Sequence, residues 1–298
     1  MTTVAVVGTG VIGTSWAAHF LRHGLSVVAT DPAAGAEDRL RAGVAAIGAP
    51  AERLRFTDDV GAAAAAADFV QENGPEREDV KLAVIAAADA AARPDVVIAS
   101  SSSGLLPSAI ARGAAHHPER VLVGHPFQPP HVVPLVEVVP GERTAEAAVD
   151  AAVAFYTGVG KKPVRLRREL PGHVVNRLQA ALWQEAYSLV ERGVVSVADI
   201  DTAISNGPGL RWALLGPFAT QHLSGGAGGI AHVLEHLGPP TEAWWRDLGQ
   251  VTLTPALVDA IVAGVDAELG GADPAELATR RDTALRALLD LKAEGGLG

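Results

Sequence analysis

The stretch Val4-Ala5-Val6-Val7-Gly8-Thr9-Gly10-Val11-Ile12-Gly13 decides how this chain is read. An apolar run of strand type leads directly into G-x-G-x-x-G, and residues 11–23 then have helical character, with Gly24 as the stop. Each glycine has a task in that setting: Gly8 permits a tight turn, Gly10 lets the backbone approach a diphosphate, and Gly13 lets helix and strand pack closely. The helix start adds free N–H groups and the positive end of its dipole. A glycine loop alone is a weak signal, but here an acid, Asp31, also ends the second strand, 26–30. Such an acid accepts hydrogen bonds from ribose hydroxyls, although Asp31 with Pro32 also reads as a plain turn. The expected ligand is a dinucleotide held by Gly8, Gly10, Val11, Ile12, Gly13 and Asp31. NAD is expected over NADP, because a 2′-phosphate about 4 Å from a carboxylate is repelled by roughly 4 kcal/mol at an effective dielectric near 20.

Working outward, further strands are expected at 54–57, 69–71, 96–99, 121–124, 135–139 and 163–166, with alanine-rich helices at 76–92 and 144–157. This alternation is the pattern of a parallel sheet with crossover helices. The run 62–67 reads as one short helix, alanine being the best helix former. After Arg168 the strand signals stop. Pro171 marks a helix start, apolar residues recur at Val174, Leu178, Leu182 and Leu189, and Ser196 with Asp199 resembles a capping box. Gly-Pro pairs at 207, 216 and 238 punctuate the remainder. The fold expected is α/β: a Rossmann-type doubly wound sheet over 1–168, then an all-helical C-terminal domain over 169–298 for substrate binding and dimerisation.

The 298 residues are 48% apolar and 19% charged, the balance of a soluble globular protein. No charge-free apolar run of about 18 residues suggests a membrane span, and no basic-then-apolar leader precedes the first strand. A net charge of −10 argues against nucleic acid as a partner. The absence of cysteine excludes disulfides and thiolate chemistry and suits a cytoplasmic protein.

Glu137 stands inside the apolar strand Leu135-Val136-Glu137-Val138-Val139. A buried carboxylate needs a partner or a raised pKa, and His125 ends the preceding strand before a proline-rich turn. A His held by a Glu is a general acid/base pair, the carboxylate fixing the tautomer and favouring the imidazolium; a purely structural pair fits these two residues equally well. Ser100-Ser101-Ser102-Ser103-Gly104 follows a strand at the carboxyl edge, where open α/β sheets bind ligands. It reads as a helix cap or as a donor to a substrate oxygen. Asn176, at the start of the second domain, is placed to orient a carbonyl. His232-Val233-Leu234-Glu235-His236 matches H-x-x-E-H, but lacks a third ligand, so no metal is expected.

Together these motifs are similar to those of the 3-hydroxyacyl-CoA dehydrogenase superfamily over essentially the whole chain. Gln71-Glu72, Pro75-Glu76, Pro134-Leu135-Val136-Glu137 and Gly209-Leu210-Arg211-Trp212-Ala213 look like its L-gulonate 3-dehydrogenase (lambda-crystallin) and L-carnitine dehydrogenase branch. The resemblance implies His125 as base, Glu137 as its orienting partner, and Ser103 and Asn176 as substrate hydrogen-bonders. It also implies Glu76 and Lys81 near the nicotinamide ribose, and a homodimer formed through the helical domain. Two departures are Gln128, where the family has Asn, and His173, where it has a bulky apolar residue. Arg211 reads as a carboxylate clamp or as a member of a surface ion pair.

The activity implied is NAD-dependent oxidation of a small L-3-hydroxy acid, or reduction of the 3-keto acid, gulonate- or carnitine-like. A carnitine substrate calls for an aromatic cage, for which Trp183 and Trp212 are available. The alternatives are a true 3-hydroxyacyl-CoA dehydrogenase and a biosynthetic 3-ketoreductase. The acyl-CoA branch carries a lysine-rich helical arm between its second and fourth strands. Here residues 32–67 contain no lysine, and four arginines (Arg39, Arg41, Arg53, Arg55) face five acids (Glu37, Asp38, Glu52, Asp58, Asp59). The other source of positive charge is the cluster Lys161, Lys162, Arg165, Arg167 and Arg168.

Overall fold

β1 (Thr3–Val7) is buried along almost its whole length, as a central parallel strand covered on both faces must be. The computed structural model describes residues 1–297. From β1 the chain runs through α1 (Val11–Arg22), β2 (Ser26–Thr30), α2 (Ala36–Ile47), β3 (Leu54–Thr57), α3 (Val60–Ala65), β4 (Phe69–Glu72) and α4 (Glu78–Ala91). It continues through β5 (Val97–Ser100), α5 (Pro107–Ile110), β6 (Val121–Pro126), β7 (Leu135–Pro140), α6 (Glu146–Gly158) and β8 (Lys162–Arg165). All eight expected strands form, in the order β3-β2-β1-β4-β5-β6-β7-β8. The order reverses beside β1, whose neighbours are β2 and β4; ligands bind at such a switch point, outside the carboxyl ends of the strands.

The sheet is not wholly parallel. β7 runs antiparallel to β6, because the connection from Phe127 to Pro134 is too short for the crossover that a parallel pair needs. The longer return through α6 makes β8 parallel to β7.

Alternate residues of each strand feed two cores, one on each face of the sheet. Val4, Val6, Val27 and Ala29 pack with Trp16, Phe20, Leu40 and Tyr156 from α1, α2 and α6. Ala5, Val7 and Val28 pack with Ala63, Ile85, Ala88 and Ile110 from α3, α4 and α5.

The chain divides into two compact units, Met1–Arg177 and the residues from Leu178 onward. The break falls beyond the change of texture at Arg168 and inside α7 (Val175–Glu191). Pro171 does not open that helix: Gly172 and His173 both take left-handed φ (75° and 50°), and the turn they make precedes it.

The second unit holds α8 (Val197–Asn206), α9 (Pro208–Leu214), α10 (Pro217–Ser224), α11 (Gly229–Asp247), α12 (Pro255–Leu269) and α13 (Pro274–Glu294). Ser196 and Asp199 form the expected capping box of α8. The first two Gly-Pro pairs place proline at the start of α9 and α10, where its missing N–H costs nothing. The third does not interrupt the chain: Pro239 and Pro240 lie inside α11. Among the described residues from Leu178 onward, Leu257 is the only buried apolar side chain, while Trp183, Trp212, Phe218, Trp244 and Trp245 are exposed. No described helix is long and apolar enough to cross a membrane.

Candidate active site

The glycine loop joins β1 to α1. Gly8 has φ 85°, and a Cβ on Gly13 would lie 1.8 Å from the Gly8 carbonyl oxygen, so helix and turn touch where only hydrogen fits. A Cβ on Gly10 would meet nothing within 4 Å. Gly10 is also the N-cap of α1, without a side-chain cap, and the first turn holds no acid. The Val11 and Ile12 amides therefore open an anion site beside unfilled space, the arrangement a dinucleotide diphosphate requires. Asp31 at the end of β2 accepts from the Thr9 backbone N–H (2.7 Å) and Oγ1 (3.2 Å) through one oxygen and from the Ala33 N–H (2.9 Å) through the other. Asp31 thus fixes the loop and starts a turn. These residues fit NAD.

β4 and β5 carry the next layer. Glu72 and Lys81 are buried as a pair, with Nζ 3.0 Å from Oε2, and Ser100 Oγ donates to the same oxygen (2.5 Å). Lys81 Nζ also donates to the Gly74 carbonyl. At 1% side-chain exposure, Lys81 is committed to holding the β4–α4 connection. Glu76 keeps 45% side-chain exposure. Its Oε1 accepts from Ser102 Oγ (2.5 Å) and from the Gly104 (2.8 Å) and Leu105 (3.0 Å) amides. Burial pushes this carboxyl up, and those three donors with Lys81 bring it below its usual range.

The serine run is therefore no simple helix cap. Ser100 serves Glu72, Ser101 donates to Asn73 (2.7 Å) and Ser102 serves Glu76. Ser103 is exposed and lies 2.9 Å from His125 Nε2. His125 on β6 stands directly opposite Glu137 on β7, with Nδ1 3.0 Å from Oε2. The other carboxylate oxygen accepts from the Val174 (2.9 Å) and Val175 (3.0 Å) amides, which ties the start of α7 and Asn176 beside the pair. Burial raises the Glu137 carboxyl, but His125 and the two amides outweigh it and hold it below the ordinary range. An ionised carboxylate only accepts, so Nδ1 carries a proton, and in the neutral imidazole the lone pair is at Nε2.

Ser103, His125 and Glu137 have the connectivity of a hydrolase triad. The amides that follow Ser103 are already bonded to Glu76, however, and so offer no oxyanion hole. The arrangement suits proton transfer at Nε2.

Gln128 is exposed, past Phe127, whose ring meets the His125 ring edge-on at 4.9 Å. Arg211 lies on α9 in the second unit and lines a cleft with Leu214, Leu215, Thr220, Leu223 and Ser224. The five-residue basic cluster does not form one surface. Lys161 is buried, its Nζ donating to the Pro130 and Val133 carbonyls and lying 4.8 Å from the centre of the Trp16 ring. Arg165 pairs with Glu146 and Asp150. The His232 and His236 ring centres are 4.1 Å apart with the planes tilted by 41°, and among the described residues no cluster of three metal-ligating side chains forms.

Sequence reading named Glu72, Ser102 and Lys161 only as members of longer runs and assigned none of them its partner: Lys81, Glu76 and the Pro130 and Val133 carbonyls are brought to them by the tertiary fold.

A glycine loop at the switch point, with an acid directly after β2, defines a dinucleotide-binding protein built on a Rossmann domain. Residues 3–170 match the NAD-binding domain of 3-hydroxyacyl-CoA dehydrogenase, and residues 172–270 match its C-terminal domain. The chain belongs to the 3-hydroxyacyl-CoA dehydrogenase family, and it is an NAD-dependent oxidoreductase. It is 49% identical to an L-carnitine dehydrogenase of Nocardiopsis dassonvillei, covering 96% of this chain and 90% of that protein. It is 45% identical to a 3-hydroxyacyl-CoA dehydrogenase of Gibberella moniliformis, covering 97% and 94%. Among solved structures, the NAD-dependent dismutase 5-formyl-3-hydroxy-2-methylpyridine 4-carboxylic acid 5-dehydrogenase superposes with a TM-score of 0.84 at 29% identity, over 98% of this chain and 99% of that one.

Proposed function

We propose that this enzyme oxidises the hydroxyl of a small L-3-hydroxy acid of the carnitine type, with His125 as the general base. The observation that carries the chemistry is the His125 imidazole held between Glu137 and Ser103. When bound, NAD supplies the hydride acceptor. His125 Nε2 takes the hydroxyl proton, and Glu137 offsets the imidazolium charge across Nδ1–H. The Ser103 hydroxyl and the Asn176 amide hold the reacting oxygen and its neighbour. Glu76 faces the cofactor ribose, with the Lys81 ammonium 3.8 Å from its Oε2. Asp31 accepts the adenosine ribose hydroxyls and disfavours NADP. Gln128 shapes the pocket past the base. In the reductive direction His125 returns the proton.

The relatives named for L-carnitine support the substrate class. The missing basic arm supports a free acid over a thioester: the α2 region is a helix of 12 residues whose Leu40 and Val44 are buried against the sheet. Coenzyme A would there forgo charge-assisted bonds, which are about twice as strong as neutral ones. The test is NADH formation across L-carnitine, L-gulonate, 3-hydroxybutyrate and 3-hydroxybutyryl-CoA at moderate ionic strength. Highest kcat/KM on a free acid is expected, and a clear preference for the thioester overturns the substrate reading.

We infer in addition a homodimer through the helical unit. Its apolar side chains are exposed in one copy of the chain, and patches of that kind mark association surfaces. Light scattering on the eluted protein should return twice the chain mass of 30.6 kDa; a monomer at micromolar concentration overturns the inference.

A further inference from the structure

His173 has no part in the mechanism above, yet it touches the base. It is fully buried, and its φ of 50° lies in the left-handed region that residues with a Cβ rarely adopt. Its Nε2 is 3.1 Å from the Ser102 carbonyl oxygen. A carbonyl only accepts, so Nε2 carries the proton. Its Nδ1 is buried without a hydrogen-bond partner. A proton there would be an unpaired buried donor, so the ring is neutral and Nδ1 presents a lone pair. The ring centre is 5.2 Å from that of His125.

The charged and titratable groups around it are His125 on β6, Glu137 on β7 and Glu76 before α4. Burial pushes the His173 imidazole toward its neutral form and His125 adds to this, while the Ser102 carbonyl, Glu137 and Glu76 oppose. A bulky apolar side chain would fill the same space without burying polar atoms, so packing alone gives no reason for histidine.

The contacts form a closed ring. Ser103 meets His125, His125 meets Glu137, and Glu137 holds the Val174 and Val175 amides. The chain leads back one residue to His173, which returns to Ser102 beside Ser103. We propose that His173 is a positioning residue: its Nε2–H clamps the Ser102 carbonyl and closes this ring, holding Ser103 against an imidazole that faces no second cation. Without that link Ser100 and Ser101 stay anchored to Glu72 and Asn73, but from Ser102 onward the turn is held by Glu76, and Ser103 gains freedom to move away from His125.

This inference rests on the reading of His125 as the base, and the experiment separates the two. His125→Gln, His173→Phe, His173→Gln and His173→Asn are compared on the fastest acid of the substrate panel, with NADH affinity followed by fluorescence. His173→Phe should lower kcat by about tenfold to a hundredfold, the scale of a misplacement of order 1 Å, with NADH affinity retained and the acid limb of the kcat/KM profile moved. Gln has an N–H able to span to the carbonyl and should recover most of kcat, whereas the shorter Asn should not. A His173→Phe enzyme with kcat and pH profile within about twofold of the parent overturns the proposal. If the Phe variant does not fold, equal kcat for the Gln and Asn variants overturns it. Near-normal turnover in His125→Gln removes the base reading itself; an inactive His125→Gln beside a normal His173→Phe removes only the positioning role.

Discussion

His125 and Glu137 face each other directly across the antiparallel β6–β7 pair, with Nδ1 and Oε2 3.0 Å apart. The pairing register makes the contact, so it does not depend on a mobile loop. It also decides the tautomer. Glu137→Gln keeps an oxygen for the Val174 and Val175 amides but can turn an N–H toward His125, which moves the imidazole proton to Nε2. Both His125→Ala and Glu137→Gln should lower kcat by about a hundredfold or more, the scale of losing a general base, with NADH binding retained. Turnover near that of the parent in a folded His125→Ala protein removes the assignment.

Gly10 and Gly13 should separate binding from folding. A Cβ at Gly13 collides with the Gly8 carbonyl at 1.8 Å, and overpacking of this kind costs about 1–3 kcal/mol. Gly13→Ala should therefore lower Tm. A Cβ at Gly10 meets nothing within 4 Å, so Gly10→Ala should leave Tm alone and raise the NADH Kd by about tenfold, a loss of roughly 1.4 kcal/mol. Unchanged NADH affinity in Gly10→Ala would show that the diphosphate does not approach there.

Asp31 anchors the Thr9 turn and directly follows β2. The kcat/KM for NAD should exceed that for NADP, and Asp31→Ser should narrow the ratio while also weakening NAD somewhat, because the loop loses its acceptor. Equal kcat/KM for the two cofactors in the parent enzyme refutes the selective role.

Lys161 gives a pH test of stability. Burial pushes its ammonium from 10.5 down to about 7, although the Pro130 and Val133 carbonyls and the Trp16 ring oppose that. Between those two pH values the unfolded chain holds a proton that the folded chain has released, so unfolding free energy rises with pH. Denaturant titrations at pH 7 and 9 should show the parent gaining stability relative to Lys161→Met. Parallel curves would mean that the carbonyls and the ring keep the lysine charged throughout.

The sequence alone determined that residues 3–7 feed a dinucleotide loop, that eight strands form with helices between most of them, and that the chain turns helical after Arg168. Those signals are local: a glycine at a positive φ, an apolar period, a cap. His125 and Glu137 were also legible, since a carboxylate in an apolar strand demands a partner and the nearest titratable strand end was twelve residues away. Other features depended on tertiary structure. β7 reverses because its loop is short, Lys81 is consumed by Glu72, Lys161 leaves the basic cluster for the space beneath the Pro130 turn, and His173 reaches Ser102 across 71 residues of chain. In each case the deciding quantity is burial beside a residue distant in sequence. Burial is set by how strands pair and helices cover them, and a desolvated charge or imidazole takes whichever partner that packing leaves within reach.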